Sequence, residues 1–493
     1  MAYVELDVMR FFHRHAKLVS RISLTLLAVL ILALVSPLCP GSSTISYTDS
    51  SVFQYIGSSL LDGYIPYRDI FDHKGPLIYL INALGWLIHG ESGIWLIEVL
   101  LLIGCVNLWF ESSYMLNQSA VFSFFTSFLG LAAFSLWIEG GNLTEEYCLP
   151  CLSTILYLYA RCFTGGYVSM GQAVVIGLSC SSIFLIKFNA LVLAAPMIMF
   201  ELAQLHKQGQ GLGRYITAGL MGFTLPVLII ALWLAVTNAF DDFIADYFAF
   251  NLTYAGGADL IDRIASLTTM FNSCVIVISF ALLFIAVFSG SILSRDITFS
   301  VLGILVSFAI GFVVIAGTGF TYAHYLLFFI PPMIFAVSLI PVLLATFGHP
   351  VRSLVCSISV VVLLAFFVAP AFQSSVSYAK SGADSKDDQM VLVNEVSSRT
   401  DPGDMIGVVG NVCWIYLKSD TIAASQLAYL PVGIEDPAPW LDAMYEDFHY
   451  SDAKLVLVAS QSESTFCNES FLAEYRCVSD AYGFKVYERR CEQ

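Results

Sequence analysis

The sequence predicts a polytopic α-helical membrane protein with a small water-exposed α/β domain at its C-terminal end. Three observations carry that expectation. Hydrophobic residues make up 58% of the chain and charged residues only 12%, far from the mixture of a soluble globular protein. Apolar runs recur along the first three quarters of the chain, each long enough to cross a hydrocarbon core roughly 30 Å thick at about 1.5 Å per helical residue. Beyond Gln373, Ser, Asp and Lys replace Leu and Phe, and that tail carries about ten of the excess negative charges behind the net charge of −16.

The first element is basic, then apolar. Arg10, Arg14, Lys17 and Arg21 precede an apolar run over 22–35. Pro37 and Leu38 occupy the positions where a signal peptidase needs small residues. The run therefore reads as a retained first helix whose basic flank stays in the cytoplasm. Further apolar runs place spans near 22–38, 94–113, 119–138, 147–162, 169–186, 188–204, 215–236, 269–289, 298–316, 325–346 and 353–371, about eleven in all. The run over 76–89 is too short to span and suits a helix in the outer interface, with Tyr79 and Trp86 at headgroup level.

Basic residues set the orientation. With the N-terminus cytoplasmic, Arg161, Lys207, Arg214, Arg295 and Arg352 also fall inside. The loop 39–93, the turn 139–146, the loop 237–267, the turn 317–324 and the tail then lie outside. Arg68, Lys74 and Arg263 are exceptions, and two of them sit in the loop 39–93. The expected organisation is a transmembrane domain over 1–372 with its outer loop 39–93, followed by a soluble extracytoplasmic domain over 373–493. In that domain 404–410, 454–460 and 484–488 read as short strands with helical stretches between them. No phosphate-cradling glycine loop, internal repeat or low-complexity segment is visible.

The acidic balance without a basic stripe argues against nucleic acid. Of twelve cysteines, eight are scattered through the membrane part without a CxxC-and-His grouping. Cys148 and Cys151 sit at helical spacing and read as packing residues. Cys413, Cys467, Cys477 and Cys491 lie in the tail, where disulfides are allowed but their pairing is not readable.

Four polar clusters stand out against this apolar background. Asp49 follows the first span and precedes an amphipathic stretch; it reads as a general base for an acceptor hydroxyl or as a plain helix N-cap. Arg68, Asp69, Asp72, His73 and Lys74 form the second cluster. Lys74, before Gly75-Pro76 at the entrance to an apolar segment, can bind a lipid phosphate as a point charge or simply snorkel to the headgroups. His73 reads as a proton donor or as a solvated loop residue.

The third cluster is Glu139-Gly-Gly-Asn-Leu-Thr-Glu-Glu-Tyr. Its Glu145 and Glu146 fall in the first turn of the next helix, where the dipole favours a carboxylate. Asn142 and Glu145 also match a capping box, which would give Glu145 only a structural role. The fourth holds His324 between Tyr322 and Tyr325, a donor set for an anionic group or an aromatic belt containing one histidine. Lys187, between two apolar runs, is a weaker addition, and Asp241, Asp242 and Asp246 read as a solvated face. Their convergence on one membrane face argues for a site, because ionisable groups at membrane helix ends are costly to keep.

These residues resemble the GT-C type of membrane glycosyltransferase, in particular the bacterial branch similar to protein O-mannosyltransferases and lipid A aminoarabinose transferases. Asp49 matches the first acidic position of that family, Lys74-Gly75-Pro76 its lysine-proline element, and Thr144-Glu145 its Thr-Asp pair. The run from Asp62 to Asp69 resembles a Gly-x-x-Pro-Tyr-x-Asp stretch, and His324-Tyr325 followed by Pro331-Pro332 resembles a later element. The resemblance covers roughly 20–345. Two departures stand out: the second acid is Glu with Glu146 beside it, and the lysine element reads Lys-Gly-Pro.

The resemblance implies an inverting transferase that moves a sugar from a polyprenyl-phosphate donor to an extracytoplasmic acceptor, among membrane lipids and without nucleic acid. Asp49, Glu145 and Glu146 would be the catalytic carboxylates; Lys74, Arg68, His73, His324 and Tyr325 would hold the donor phosphate. No cofactor is established by it, and a divalent cation stays open because some relatives use one. A transporter or lipid-handling protein without transferase chemistry is the alternative.

Overall fold

The computed structural model describes residues 2–42, 44–45, 49–166, 168–254, 260–272, 274–288, 293–319, 322–344, 386–431, 434 and 436–490. The expected span at 353–371, Arg352, the 372/373 boundary and Cys491 lie outside the described residues. The chain forms two compact units, each drawn from three separate stretches of sequence.

The first unit comprises Met1–Val35, Leu96–Ile230 and Ala258–Val376. Among the described residues of the whole chain, seven helices are long and apolar enough to cross a membrane: His15–Val35, Glu91–Asn117, Ala120–Trp137, Phe188–Lys207, Leu212–Val236, Arg295–Gly317 and Ala323–Leu343. The expected runs at 147–162, 169–186 and 269–289 also fold as helices, Thr144–Phe163, Met170–Ile186 and Cys274–Phe288. The first of these is less apolar because two glutamates occupy its opening turn.

Small residues let these helices meet closely, as membrane helices do without a hydrophobic drive between them. A methyl group on Gly177 would lie 2.0 Å from the Gly219 carbonyl oxygen, so Met170–Ile186 and Leu212–Val236 cross at bare backbone. Buried hydroxyls are satisfied within their own helices: Ser112, Thr126 and Ser127 each donate to the carbonyl four residues back. Trp109 donates to Ser153 at 2.8 Å, and Tyr159 to the Ser300 carbonyl at 2.7 Å, joining helices distant in sequence.

The second unit comprises Ser36–Trp95, Ala231–Gly257 and Ser377–Gln493. The outer loop and the C-terminal sheet thus belong to one body, with part of the 237–267 loop added. The helices Asp49–Leu61 and Pro76–His89 pack through Gly57, where a methyl group would lie 2.6 Å from Asn82 Cβ.

The sheet has five strands in the order β2-β1-β3-β5-β4: β1 Met405–Val409, β2 Ile422–Ala423, β3 Leu455–Ala459, β4 Tyr475–Ala481 and β5 Phe484–Arg489. β1 runs parallel to β2 and β3, and β5 pairs antiparallel with β3 and β4. β3 is buried along its whole length, as expected of a central strand covered on both faces. Val409, Val456, Val458, Phe448, Phe466 and Phe471 form its core. The β4–β5 hairpin turns through Tyr482 and Gly483, both at positive φ (51° and 72°), the backbone that a two-residue turn with matching twist requires.

The three strands expected from sequence are β1, β3 and β5. β2 has only two residues, and β4 is a half-exposed edge strand whose polar sequence gives no apolar run. Among the described residues, Cys413, Cys467 and Cys477 form no disulfide.

Candidate active site

In the second unit, Asp49 opens the helix Asp49–Leu61. Its Oδ2 lies 4.0 Å from Lys74 Nζ, with side-chain exposures of 44% for Asp49 and 17% for Lys74. Residues 25 positions apart in sequence are brought together because Tyr67–Lys74 folds back over the first helix of the loop. The fold-back is held at its backbone. Tyr67, at φ 72°, donates its hydroxyl to the Lys74 carbonyl at 2.7 Å, and Tyr79 donates to the same oxygen at 3.2 Å. Asn251 donates to the His73 carbonyl at 2.6 Å.

Asp72 is the buried anchor of this segment, 2% exposed. Its Oδ1 accepts from the His73 amide at 2.7 Å and the Tyr429 hydroxyl at 2.8 Å; its Oδ2 accepts from the Tyr79 hydroxyl at 2.8 Å. Burial pushes the Asp72 carboxyl above the usual range, against the pull of the Lys74 charge and the two tyrosine hydroxyls. Tyr429 belongs to the C-terminal domain. Its neighbour Gln426 accepts from the Phe71 amide at 2.9 Å and donates to the Tyr67 carbonyl at 2.6 Å.

The other candidates of this loop are differently placed. Arg68 is engaged by its neighbour Asp69, at 2.8 and 2.6 Å, and by the Thr237 carbonyl at 2.8 Å. Its charge serves a local fork and not an open pocket. His73 has its Nε2 at Lys74 Nζ and its ring against Phe250. Asp246 is not on a solvated face: half-burial, with Asp242 and Asp72 nearby, pushes its carboxyl up to about 7.

In the first unit, Glu145 is 1% exposed and accepts from Lys187 Nζ and from the Thr144 hydroxyl. His324 Nε2 stands 3.9 Å from the same Glu145 oxygen, and its Nδ1 pairs with Glu139. Lys187 also lies over the Tyr325 ring, 4.5 Å from its centroid, a cation–π arrangement. Glu145, His324, Tyr325 and the minor candidate Lys187 are therefore neighbours. The capping box does not form: the N-cap is Leu143, and the Asn142 side chain accepts from Tyr147 instead.

Glu146 faces the other way. Its Oε2 and Glu98 Oε1 both accept from the Asn142 amide, at 2.8 and 2.6 Å, so the two carboxyls meet at one N–H. Sequence reasoning missed Glu98 and Tyr429, and it named Glu139 only as the start of the third cluster, without a role. Glu98 carried one signal, a lone acid inside an apolar run.

Among the described residues, no group of three or more His, Cys, Asp or Glu side chains is arranged to hold a metal ion. Glu145 is matched by Lys187, and Asp49 faces Lys74.

No protein-family model matches the sequence, and no curated protein matches it. Solved structures do. ArnT from Cupriavidus metallidurans bound to undecaprenyl phosphate is similar at TM-score 0.62 and 11% identity, over 95% of this chain and 97% of that one. Its apo state is similar at TM-score 0.60 and 11% identity, with the same coverage. Archaeal oligosaccharyltransferase AglB from Archaeoglobus fulgidus, in complex with an inhibitory peptide and a dolichol-phosphate, is similar at TM-score 0.50 and 13% identity, over 95% of this chain and 74% of that one. The fold is thus the GT-C fold, with the C-terminal sheet domain included in the match to ArnT.

Proposed function

We propose that this protein is an integral membrane glycosyltransferase that moves a sugar from a polyprenyl-phosphate donor to an extracytoplasmic acceptor, with inversion. The N-terminus lies in the cytoplasm and the C-terminal domain outside. The observation that carries the reading is the pairing of an accessible carboxylate, Asp49, with a half-enclosed ammonium, Lys74. It stands in a chain whose fold matches a structure bound to undecaprenyl phosphate.

Asp49 takes the proton of an acceptor hydroxyl as its oxygen attacks the anomeric carbon. The bond from that carbon to the phosphate oxygen breaks, and the lipid phosphate leaves with the electron pair. Lys74 stabilises the charge developing on the departing oxygen, where a preset ammonium in a low-dielectric site acts strongly. Inversion follows from a single displacement.

Glu145 is too deeply buried to meet an acceptor, so it is a positioning residue. It orients Lys187 and His324, whose charge and hydrogen-bond donors suit an anionic or polyhydroxyl ligand. Glu146 and Glu98 support the turn that carries Glu139. Arg68 and His73 shape the loop around Lys74.

The test is sugar transfer from radiolabelled polyprenyl-phosphate sugars by purified protein in lipid vesicles, across donors and candidate envelope acceptors. Transfer with release of polyprenyl phosphate is expected. Vesicle uptake or flipping of the lipid without transfer would replace this reading with the transporter one.

A further inference from the structure

Two carboxylates of its own unit act on Lys74, one directly and one by way of His73. One is Asp49, 4.0 Å away; the other is Asp72, whose Oδ1 lies 3.4 Å from His73 Nδ1 while His73 Nε2 meets the Lys74 ammonium. A lysine matched by two anions has little net charge left for a phosphate. Asp72, however, is already supplied with three donors: the His73 amide and the hydroxyls of Tyr79 and Tyr429. Two of these come from the loop itself. The third comes from the C-terminal domain, 357 residues away in sequence.

We propose that Tyr429 is a positioning residue for Lys74: by donating to Asp72 it occupies that carboxylate, keeps it turned into the protein and away from Lys74, and leaves the Lys74 ammonium available to a phosphate. This rests on the transferase reading and extends it, giving the C-terminal domain a part in donor binding.

The surroundings show that the contact is built. The Asp72 carboxylate is enclosed, and its donors lie at 2.7–2.8 Å. Gln426 fastens the same tail segment to the backbone at Phe71 and Tyr67. Tyr55 stacks on Tyr416 at 4.6 Å, and its hydroxyl oxygen accepts from the Ala423 amide at 2.8 Å. These contacts hold the Tyr429 segment with or without its hydroxyl. Removing that hydroxyl therefore changes the charge balance around Asp72 more than the fold.

The experiment measures binding of polyprenyl phosphate, without sugar, to the full-length protein in nanodiscs, together with sugar transfer. Tyr429→Phe is expected to weaken binding roughly tenfold, the scale of one hydrogen bond to a charged group. KM for the donor rises with it, and kcat at saturation changes less. Adding Asp72→Asn is expected to restore binding, because the charge that Tyr429 holds away from Lys74 is then gone. Tyr445→Phe, which removes a hydroxyl bound to Glu474 elsewhere in the domain, is expected to bind as wild type does.

Unchanged binding in Tyr429→Phe, or a further loss in the double variant, would overturn the inference while wild-type binding and transfer keep the parent reading. Absence of polyprenyl-phosphate binding in the wild type would remove both.

Discussion

Asp49 and Lys74 meet at 4.0 Å across a fold-back of the outer loop, and backbone groups with buried or half-buried side chains hold this approach. Tyr67 and Tyr79 fix the Lys74 carbonyl, Asn251 fixes that of His73, and Asp72 fixes the His73 amide. The ammonium is thereby preset before any substrate arrives, the condition under which a charged group lowers a barrier most.

Replacing Lys74 separates charge from hydrogen bonding. Lys74→Met is expected to reduce kcat/KM by about 10–100-fold, the value of a charge-assisted hydrogen bond in a shielded site. Lys74→Arg should recover part of this loss. Steady-state transfer assays check both.

The Glu98–Glu146 pair predicts stability. Glu98→Gln keeps an acceptor for the Asn142 amide and removes a buried charge, so the thermal midpoint is expected to hold or rise. Glu98→Leu withdraws the partner of a buried carboxyl and should cost about 1–3 kcal/mol. Gly141→Ala is expected to be harmful too. Gly141 sits at φ +90°, and a methyl group there would lie 2.5 Å from Glu98 Oε1.

Asp246 predicts a pH dependence. Its folded-state carboxyl titrates at about 7, against 3.8 for an ordinary aspartate. The folded form holds the proton more tightly, so this group favours folding at low pH. Its contribution is lost as pH rises from about 4 to about 7. Asp246→Asn should flatten that part of a plot of thermal midpoint against pH.

Asp49 faces Lys74, Glu145 is matched by Lys187, and neither joins a metal-ligating group among the described residues, so we expect indifference to chelation. Incubation with a strong chelator of divalent cations, followed by gel filtration, is expected to leave sugar transfer unchanged.

Much of the architecture was legible because apolar runs announce membrane helices, and three strands carried short apolar runs of their own. Asp49 and Lys74 were visible as ionisable residues beside membrane segments. What lay hidden depends on pairings distant in sequence. Tyr429 is one tyrosine among twenty-four, and only the folded unit brings it to Asp72. The diverging partners of Glu145 and Glu146 were also unreadable, since adjacent residues in a helix's first turn share every local signal. The capping box at Asn142 failed for a related reason: Asn142 adopts φ 55°, and Leu143 takes the cap.

The central claim is that Asp49 takes the acceptor's proton while Lys74 holds the donor. Its most direct test is Asp49→Asn in nanodiscs, measuring polyprenyl-phosphate binding and single-turnover sugar transfer on the same preparation. The account predicts binding close to wild type and transfer reduced by about 10²–10⁴-fold, the usual weight of a general base. Transfer at the wild-type rate with binding intact would contradict it.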